Sequence, residues 1–147
     1  MSKLYLGAAY YPELWEEDEI EKDIARMKEA GLNCVRVGEF AWGKMEPKEG
    51  DYRLDWLKDV VKKLHENGID TVLCTPTATP PRWLLTKYPE TRMMMHDLIR
   101  ADVSSRCHTC KTSPVMREKN RLIVTKMAEA FANDPAVIGW QIGRAHV

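Results

Sequence analysis

Apolar segments of strand length alternate with amphipathic segments of helix length along this chain of 147 residues. The strand-like segments are apolar on both faces and are residues 4–9, 33–38, 71–74 and 136–141. The helix-like segments place apolar residues on one helical face and are residues 16–30, 54–67 and 115–133. Apolar strands separated by amphipathic helices predict a parallel sheet covered by helices, which is an α/β fold.

Two architectures fit four such units, an open doubly wound sheet and part of an eight-stranded barrel. A nucleotide-binding doubly wound fold needs a glycine-rich loop after its first strand, where this chain has Tyr10-Tyr11-Pro12-Glu13. Polar and aromatic residues instead follow every strand, in the segments 10–13, 39–42, 75–83 and 140–141. A barrel has its active site at that face, so the sequence favours part of a barrel.

Composition excludes several classes of partner. Basic and acidic residues are equal in number, 22 of each, so there is no basic field for nucleic acid or for an acidic membrane. No apolar run approaches the length of a membrane span. The amino terminus also lacks the charged start, apolar core and cleavage site of a signal peptide. We therefore expect a cytoplasmic protein with no nucleic-acid and no membrane partner.

The four cysteines do not form the pattern of a disulfide framework. Cys34 and Cys74 lie inside apolar strand-like runs, where a free cysteine is a small buried side chain. Cys107 and Cys110 form a single Cys-x-x-Cys. That spacing is compatible with half of a zinc site, with a redox pair and with coincidence, and the residues alone leave these alternatives open.

Glu39 is the residue with the most suggestive surroundings. It directly follows the second predicted strand, close in sequence to Arg36, Phe40 and Trp42. A carboxylate beside aromatic rings suits a sugar, whose hydroxyls need acceptors and whose C–H face stacks on indole. The structural alternative is that Glu39 pairs with Arg36 while Trp42 only fills the core. Similar clusters after the other strands favour the sugar site.

Several motifs occur in order along the chain. They are Ala9-Tyr10-Tyr11-Pro12-Glu13 with Trp15, Arg36-Val37-Gly38-Glu39-Phe40-Ala41-Trp42, Glu46-Pro47, the run from Thr75 to Leu84, Ser113-Pro114 and Gly139-Trp140-Gln141. Together they resemble the amino-terminal barrel of glycoside hydrolase family 42, the β-galactosidases, over nearly the whole chain. The resemblance implies the first half of a (β/α)8 TIM barrel, about four β/α units, and retaining hydrolysis of terminal non-reducing β-D-galactosides.

The same resemblance implies that no catalytic residue lies in this chain. The family has its acid/base glutamate after the fourth strand and its nucleophile after the seventh. Ala145 stands where the acid/base glutamate belongs, and Arg144 stands where a substrate-binding asparagine belongs. Residues 142–147 also match one reading frame of a common sequencing adapter. We therefore interpret residues 1–141 as a truncated barrel domain and residues 142–147 as a non-native tail, and we expect the chain alone to be inactive.

The resemblance assigns further roles residue by residue. Arg106, four positions before Cys110, matches an arginine that supports substrate and nucleophile, and Cys110 matches one ligand of a structural zinc found in many members. The other zinc ligands follow the acid/base glutamate and are not in this chain. The substrate-binding candidates are thus Arg106, Glu39, Arg36 and Trp42. A full-length homotrimer acting on small β-galactosides is implied, and a non-catalytic half-barrel that binds a sugar or a partner is the alternative.

Overall fold

A computed structural model describes residues 3–102 and 108–142, and these form one sheet of four parallel strands. The strands are β1 (Gly7–Ala9), β2 (Cys34–Val37), β3 (Asp70–Cys74) and β4 (Val137–Gln141). Their spatial order is the chain order, β1-β2-β3-β4. The predictions for Arg106, Cys107 and residues 143–147 of the tail lie outside the described residues.

Helices connect the strands. They are α1 (Glu17–Glu29), α2 (Trp42–Met45), α3 (Asp55–Glu66), α4 (Arg82–Lys87) and α5 (Pro114–Phe131), with short 3-10 helices at Pro12–Leu14 and Pro89–Thr91. Gly31 and Gly68 follow α1 and α3 with positive φ angles of 75° and 78°, the backbone conformation that commonly ends a helix. Ser113 caps α5, because its hydroxyl accepts a hydrogen bond from the Met116 backbone N–H. The predicted strands and long helices are confirmed.

The strand order distinguishes between the two architectures that fit the sequence. A doubly wound sheet reverses its strand order at a switch point and carries helices on both faces. Here each strand pairs in parallel with the strand before it. Right-handed crossovers that always advance in one direction place their helices on one face of the sheet, as in a barrel.

The core lies between the sheet and the long helices. The sheet contributes Val35, Val37 and Leu73, which are at most 1% exposed. The helices contribute buried aliphatic residues at helical spacing: Ile20 and Ile24 from α1, Leu57, Val60, Val61 and Leu64 from α3, and Ile123 and Met127 from α5. This packing fixes the strands and therefore the position of every residue at their carboxyl ends.

Glu49 links the loop after β2 to the helices that follow β3. Its carboxylate accepts hydrogen bonds from Lys87 and Lys119, and from the Tyr88 hydroxyl at 2.8 Å. These three donors hold the pKa of Glu49 down to about 2. The ion-pair cluster thus connects three consecutive parts of the layer that surrounds the sheet.

Both outer strands of the sheet expose apolar residues. All three residues of β1 are exposed, and Leu4 and Leu6 before it are 87% and 57% exposed. At the other edge, Ile138 and Trp140 of β4 are 40% and 39% exposed. In the part of the chain that the structure describes, no helix has the length and apolar character needed to cross a membrane.

Candidate functional site at the carboxyl ends of the strands

Gly38 turns the chain out of β2 at the point where the candidate site begins. Its φ of 91° is one that residues with a side chain rarely adopt, and a Cβ there would lie 3.1 Å from the Cys74 carbonyl oxygen. The absence of a side chain lets this turn pass close to β3. Glu39, the next residue, is thereby placed over the strand ends and is only 3% exposed.

Arg36 joins the ends of two strands through its guanidinium group. Its Nη2 lies 2.9 Å from Glu39 Oε2, and its Nη1 donates to Gln141 Oε1 at 2.6 Å. Gln141 is paired with Cys74 across β3 and β4, so the Arg36 side chain spans the intervening strand. The structure therefore brings together two of the predicted substrate-binding residues, Arg36 and Glu39, with Gln141 as a third polar group.

Glu13 is a second acidic residue at this face. It lies in the 3-10 helix after β1, and both of its carboxylate oxygens are buried without a hydrogen-bond partner among residues 3–102 and 108–142. Burial raises its pKa, a contact with its own backbone N–H and the charge of Lys44 lower it, and the charge of Glu39 raises it further. The sequence analysis placed Glu13 in the polar segment after the first strand but did not list it among the substrate-binding candidates.

Two aromatic residues lie close to these carboxylates in sequence, Tyr11 two positions before Glu13 and Phe40 directly after Glu39. The rings of Tyr11 and Phe40 stack with their centroids 5.4 Å apart and an interplanar angle of 19°. Tyr10 points the other way, since it is buried and its hydroxyl lies 3.4 Å from Asp23 of α1. Consecutive side chains after β1 thus point in opposite directions, Tyr10 towards the core and Tyr11 towards the candidate site.

Trp42 differs from the prediction. A sugar-binding indole needs an exposed face, but Trp42 is fully buried in the core. Its Nε1 donates to Glu46 Oε2 at 2.8 Å, and the other carboxylate oxygen of Glu46 accepts the Gly50 backbone N–H at 2.9 Å. Trp83 also donates to the Glu46 backbone carbonyl. Trp42 is therefore a core residue, which was the structural alternative to sugar binding, because α2 turns its ring towards the core.

Cys74 lies at the end of β3 beneath these polar groups. It is 1% exposed, and burial raises its pKa to about 11, with Arg36 lowering it and Glu39 and Glu13 raising it. A thiol with this pKa is protonated at neutral pH. Cys74 is therefore a small packing residue below the site rather than a nucleophile.

Cys110 is the predicted zinc ligand. It is partly exposed, its Sγ lies 3.1 Å from the Thr112 hydroxyl, and the hydrogen bond to this hydroxyl lowers the pKa of the thiol. No group of three His, Cys, Asp or Glu side chains within residues 3–102 and 108–142 is arranged to hold a metal ion. A closed zinc site needs four ligands, so the described residues alone do not form one.

The site contains both hydrogen-bond acceptors and hydrogen-bond donors for the hydroxyl groups of a ligand. The carboxylates of Glu39 and Glu13 accept hydrogen bonds, and the Arg36 guanidinium and the Gln141 amide can donate them. Stacked aromatic rings stand beside them. This combination suits a ligand with several hydroxyls and an apolar face.

Comparisons with known proteins agree with this geometry. The family model described as β-galactosidase, glycoside hydrolase family 42, matches residues 9–144. The β-galactosidase YesZ of Bacillus licheniformis is 46% identical over 140 residues, which are 95% of this chain and 21% of that protein. The β-galactosidase of Thermus thermophilus is 45% identical over 136 residues, which are 92% of this chain and 21% of that protein.

Solved structures give the same result. The crystal structure of the β-galactosidase from Rahnella sp. R3 matches 100% of this chain with a TM-score of 0.95 and 41% identity, and the match covers 22% of that chain. The β-galactosidase from Halorubrum lacusprofundi matches 96% of this chain with a TM-score of 0.91 and 40% identity. This chain spans about a fifth of the length of the curated relatives it matches.

Proposed function

This chain belongs to glycoside hydrolase family 42, the β-galactosidases, and on that premise we propose that its protein hydrolyses terminal non-reducing β-D-galactosides. The four parallel strands, with the helices between them, are the first half of the family's (β/α)8 barrel. The observation that carries the proposal is the Arg36–Glu39–Gln141 cluster at the carboxyl ends of the strands, the face at which barrel enzymes have their active sites.

Arg36 and Glu39, together with Arg106, hold the galactose unit in this proposal. Glu39 accepts hydrogen bonds from sugar hydroxyls, and the ion pair with Arg36 holds its carboxylate in place. The reaction is a retaining double displacement, which needs two carboxyl groups about 5–5.5 Å apart, one as acid/base and one as nucleophile. Neither glutamate is assigned to a residue of this chain, so the 147-residue polypeptide alone is inactive.

Four further features belong to the same proposal. Cys110 contributes one thiolate to a structural zinc whose other ligands lie outside this chain, in keeping with its match to a zinc ligand of the family and with its partial exposure. The full-length protein is a homotrimer in the cytoplasm and takes part in carbohydrate metabolism. The zinc assignment is tested by measuring the zinc content of the longer protein with and without the Cys110→Ser substitution.

A pair of assays tests the activity. We expect the 147-residue chain to release no galactose from lactose or from an aryl β-galactoside. The longest polypeptide that its gene encodes should hydrolyse both, and NMR should show that the first product keeps the β configuration. Turnover by the 147-residue chain would contradict the proposal. A longer polypeptide that binds galactose without cleaving it would favour the non-catalytic alternative.

A further inference from the structure

A cavity lies between the amino-terminal ends of α1 and α3, and it shares no lining residue with the Arg36–Glu39–Gln141 cluster of the candidate active-site face. Its volume is about 340 Å³, at the lower end of the range for pockets that bind small molecules. The helices begin shortly after the loops that follow β1 and β2, so the cavity opens at the outer rim of the same face. Its lining residues come from α1, α2, α3 and the two residues before α1.

Two tryptophans form the aromatic part of this cavity. Trp15 is 53% exposed, so its indole face is available to a ligand. Trp56 is half-buried, and the Lys44 ammonium lies 4.5 Å from the centroid of its ring. The aliphatic side chains of Ile20 and Val60 are buried at the base of the cavity. The cavity thus offers one open aromatic face above an apolar base.

Open hydrogen-bond acceptors surround the aromatic face. The carboxylates of Glu16, Glu17 and Asp59 make no hydrogen bond or ion pair with any other residue that the structure describes. The two ammonium groups of the cavity are already engaged, because Lys44 lies over Trp56 and Lys63 donates to Glu21 at 3.2 Å. Carboxylates exceed ammonium groups by only one, so the cavity favours a neutral polar ligand over a strongly charged one.

We propose that this cavity binds a pyranose unit of a carbohydrate, as a second sugar site separate from the strand ends. The apolar C–H face of the sugar stacks on Trp15, and its hydroxyls donate to the carboxylates of Glu16, Glu17 and Asp59. Such a site holds part of an oligosaccharide at the rim. It needs no hydrolysis at the strand ends, so it stands apart from the proposed function.

Site-resolved NMR tests this proposal without any activity measurement. The indole N–H signals of the tryptophans are followed while galactose or methyl 1-thio-β-D-galactopyranoside, neither of which the proposed hydrolysis consumes, is added to the longest polypeptide encoded by the gene. We expect the Trp15 and Trp56 signals to shift together and with one affinity. The buried Trp56 N–H is a useful reporter, because it remains observable in a variant that lacks Trp15.

Matched substitutions identify the site. Trp15→Ala and Asp59→Ala should each weaken the sugar affinity read at Trp56, with a loss of about tenfold for Trp15→Ala. Leu14→Ala is the control, since Leu14 is 72% exposed and adjacent but does not line the cavity. Signals that stay in place up to the solubility limit of galactose would overturn the proposal. Tighter binding of choline than of either sugar would also overturn it, because it would identify a cation site.

Discussion

The Arg36 guanidinium and the Glu39 carboxylate form an ion pair, with Nη2 and Oε2 2.9 Å apart, that is unequally exposed to solvent. The Arg36 side chain is 30% exposed, whereas that of Glu39 is 3% exposed. If the ion pair is broken, water can therefore solvate the charge of Arg36 far better than the charge of Glu39. The two halves of the pair should respond differently to substitution.

Arg36→Met should destabilise the fold more than Glu39→Gln. Arg36→Met removes the positive charge that Arg36 places beside the buried Glu39 carboxylate, and the loss of one partner of a buried ion pair typically costs about 3–5 kcal/mol. Glu39→Gln keeps an acceptor for the guanidinium and should cost about 1 kcal/mol. Urea unfolding measures the loss in free energy of unfolding for each variant. The loss in the double variant should be smaller than the sum of the losses in the two single variants. Equal losses in the two single variants would show that the pair is solvated.

Trp42 should behave as a core residue in any longer protein that contains it. Trp42→Ala should lower the free energy of unfolding by about 3–5 kcal/mol, because it removes a large buried side chain. Trp42→Phe keeps most of the volume but leaves Glu46 Oε2 without its donor, at a cost of about 1–3 kcal/mol. Thermal unfolding and galactoside kinetics measured together separate the roles. A raised KM in Trp42→Phe without loss of stability would restore the sugar-binding interpretation.

Glu49 should make the fold sensitive to acid. Its pKa is about 2 in the folded chain, below its ordinary value of 4.5, because two lysines and a tyrosine hydroxyl stabilise the carboxylate. At pH values above the unfolded-state pKa of 4.5, the ionised Glu49 carboxylate contributes its full stabilisation to the folded state. This contribution is lost as the pH falls from 4.5 towards 2. Glu49→Gln should therefore lower the melting temperature at neutral pH, with a difference from wild type that shrinks across this window.

A surface pair provides the control for this experiment. Glu118 pairs with Arg121 one helical turn away, and both side chains are more than half exposed. Glu118→Gln should change the melting temperature less than Glu49→Gln at neutral pH, because exposed pairs within one helix contribute little. If the two substitutions have the same effect at every pH, the cluster around Glu49 does not link the loop to the helices.

The described thiols should differ in reactivity. Cys110 is partly exposed with a lowered pKa, whereas Cys74 is buried with a pKa of about 11. A thiol reagent at mildly alkaline pH should label Cys110 in the folded chain and reach Cys74 only after unfolding. Mass spectrometry of the labelled peptides locates the modification, and Cys110→Ser should remove the fast phase at that position. Early labelling of Cys74 would mean that the strand ends are open.

The fold was predictable from the sequence because its signals are local. Strand and helix periodicities depend on residues a few positions apart, and the glycines that end α1 and α3 lie directly beside them. The chemistry of the strand ends followed from the same logic, since parallel strands bring their carboxyl ends together. Arg36 and Glu39 were found in this way, three residues apart on the chain.

The remaining features depend on contacts between distant residues or on the direction of one side chain. Glu49 meets Lys87 and Lys119, which are 38 and 70 positions further along the chain, and no local pattern indicates such a contact. Trp42 follows Glu39 by only three positions, but the short helix α2 orients its indole towards the core. Trp140 and Gln141 also separate, because successive strand residues face opposite sides and Trp140 pairs with Leu73 while Gln141 pairs with Cys74.

The 147-residue polypeptide should associate or remain loosely packed when it is studied alone. Its outer strands expose backbone edges together with apolar side chains, including Leu6 beside β1 and Ile138 in β4. Unpaired edges of this kind pair with other chains unless charged or bulged residues block them. Light scattering after size-exclusion chromatography should therefore give a mass above that of the 17.0 kDa monomer, or an expanded monomer that melts without cooperativity. A compact monomer with a sharp and reversible thermal transition would show that the four strands and their connecting helices fold independently.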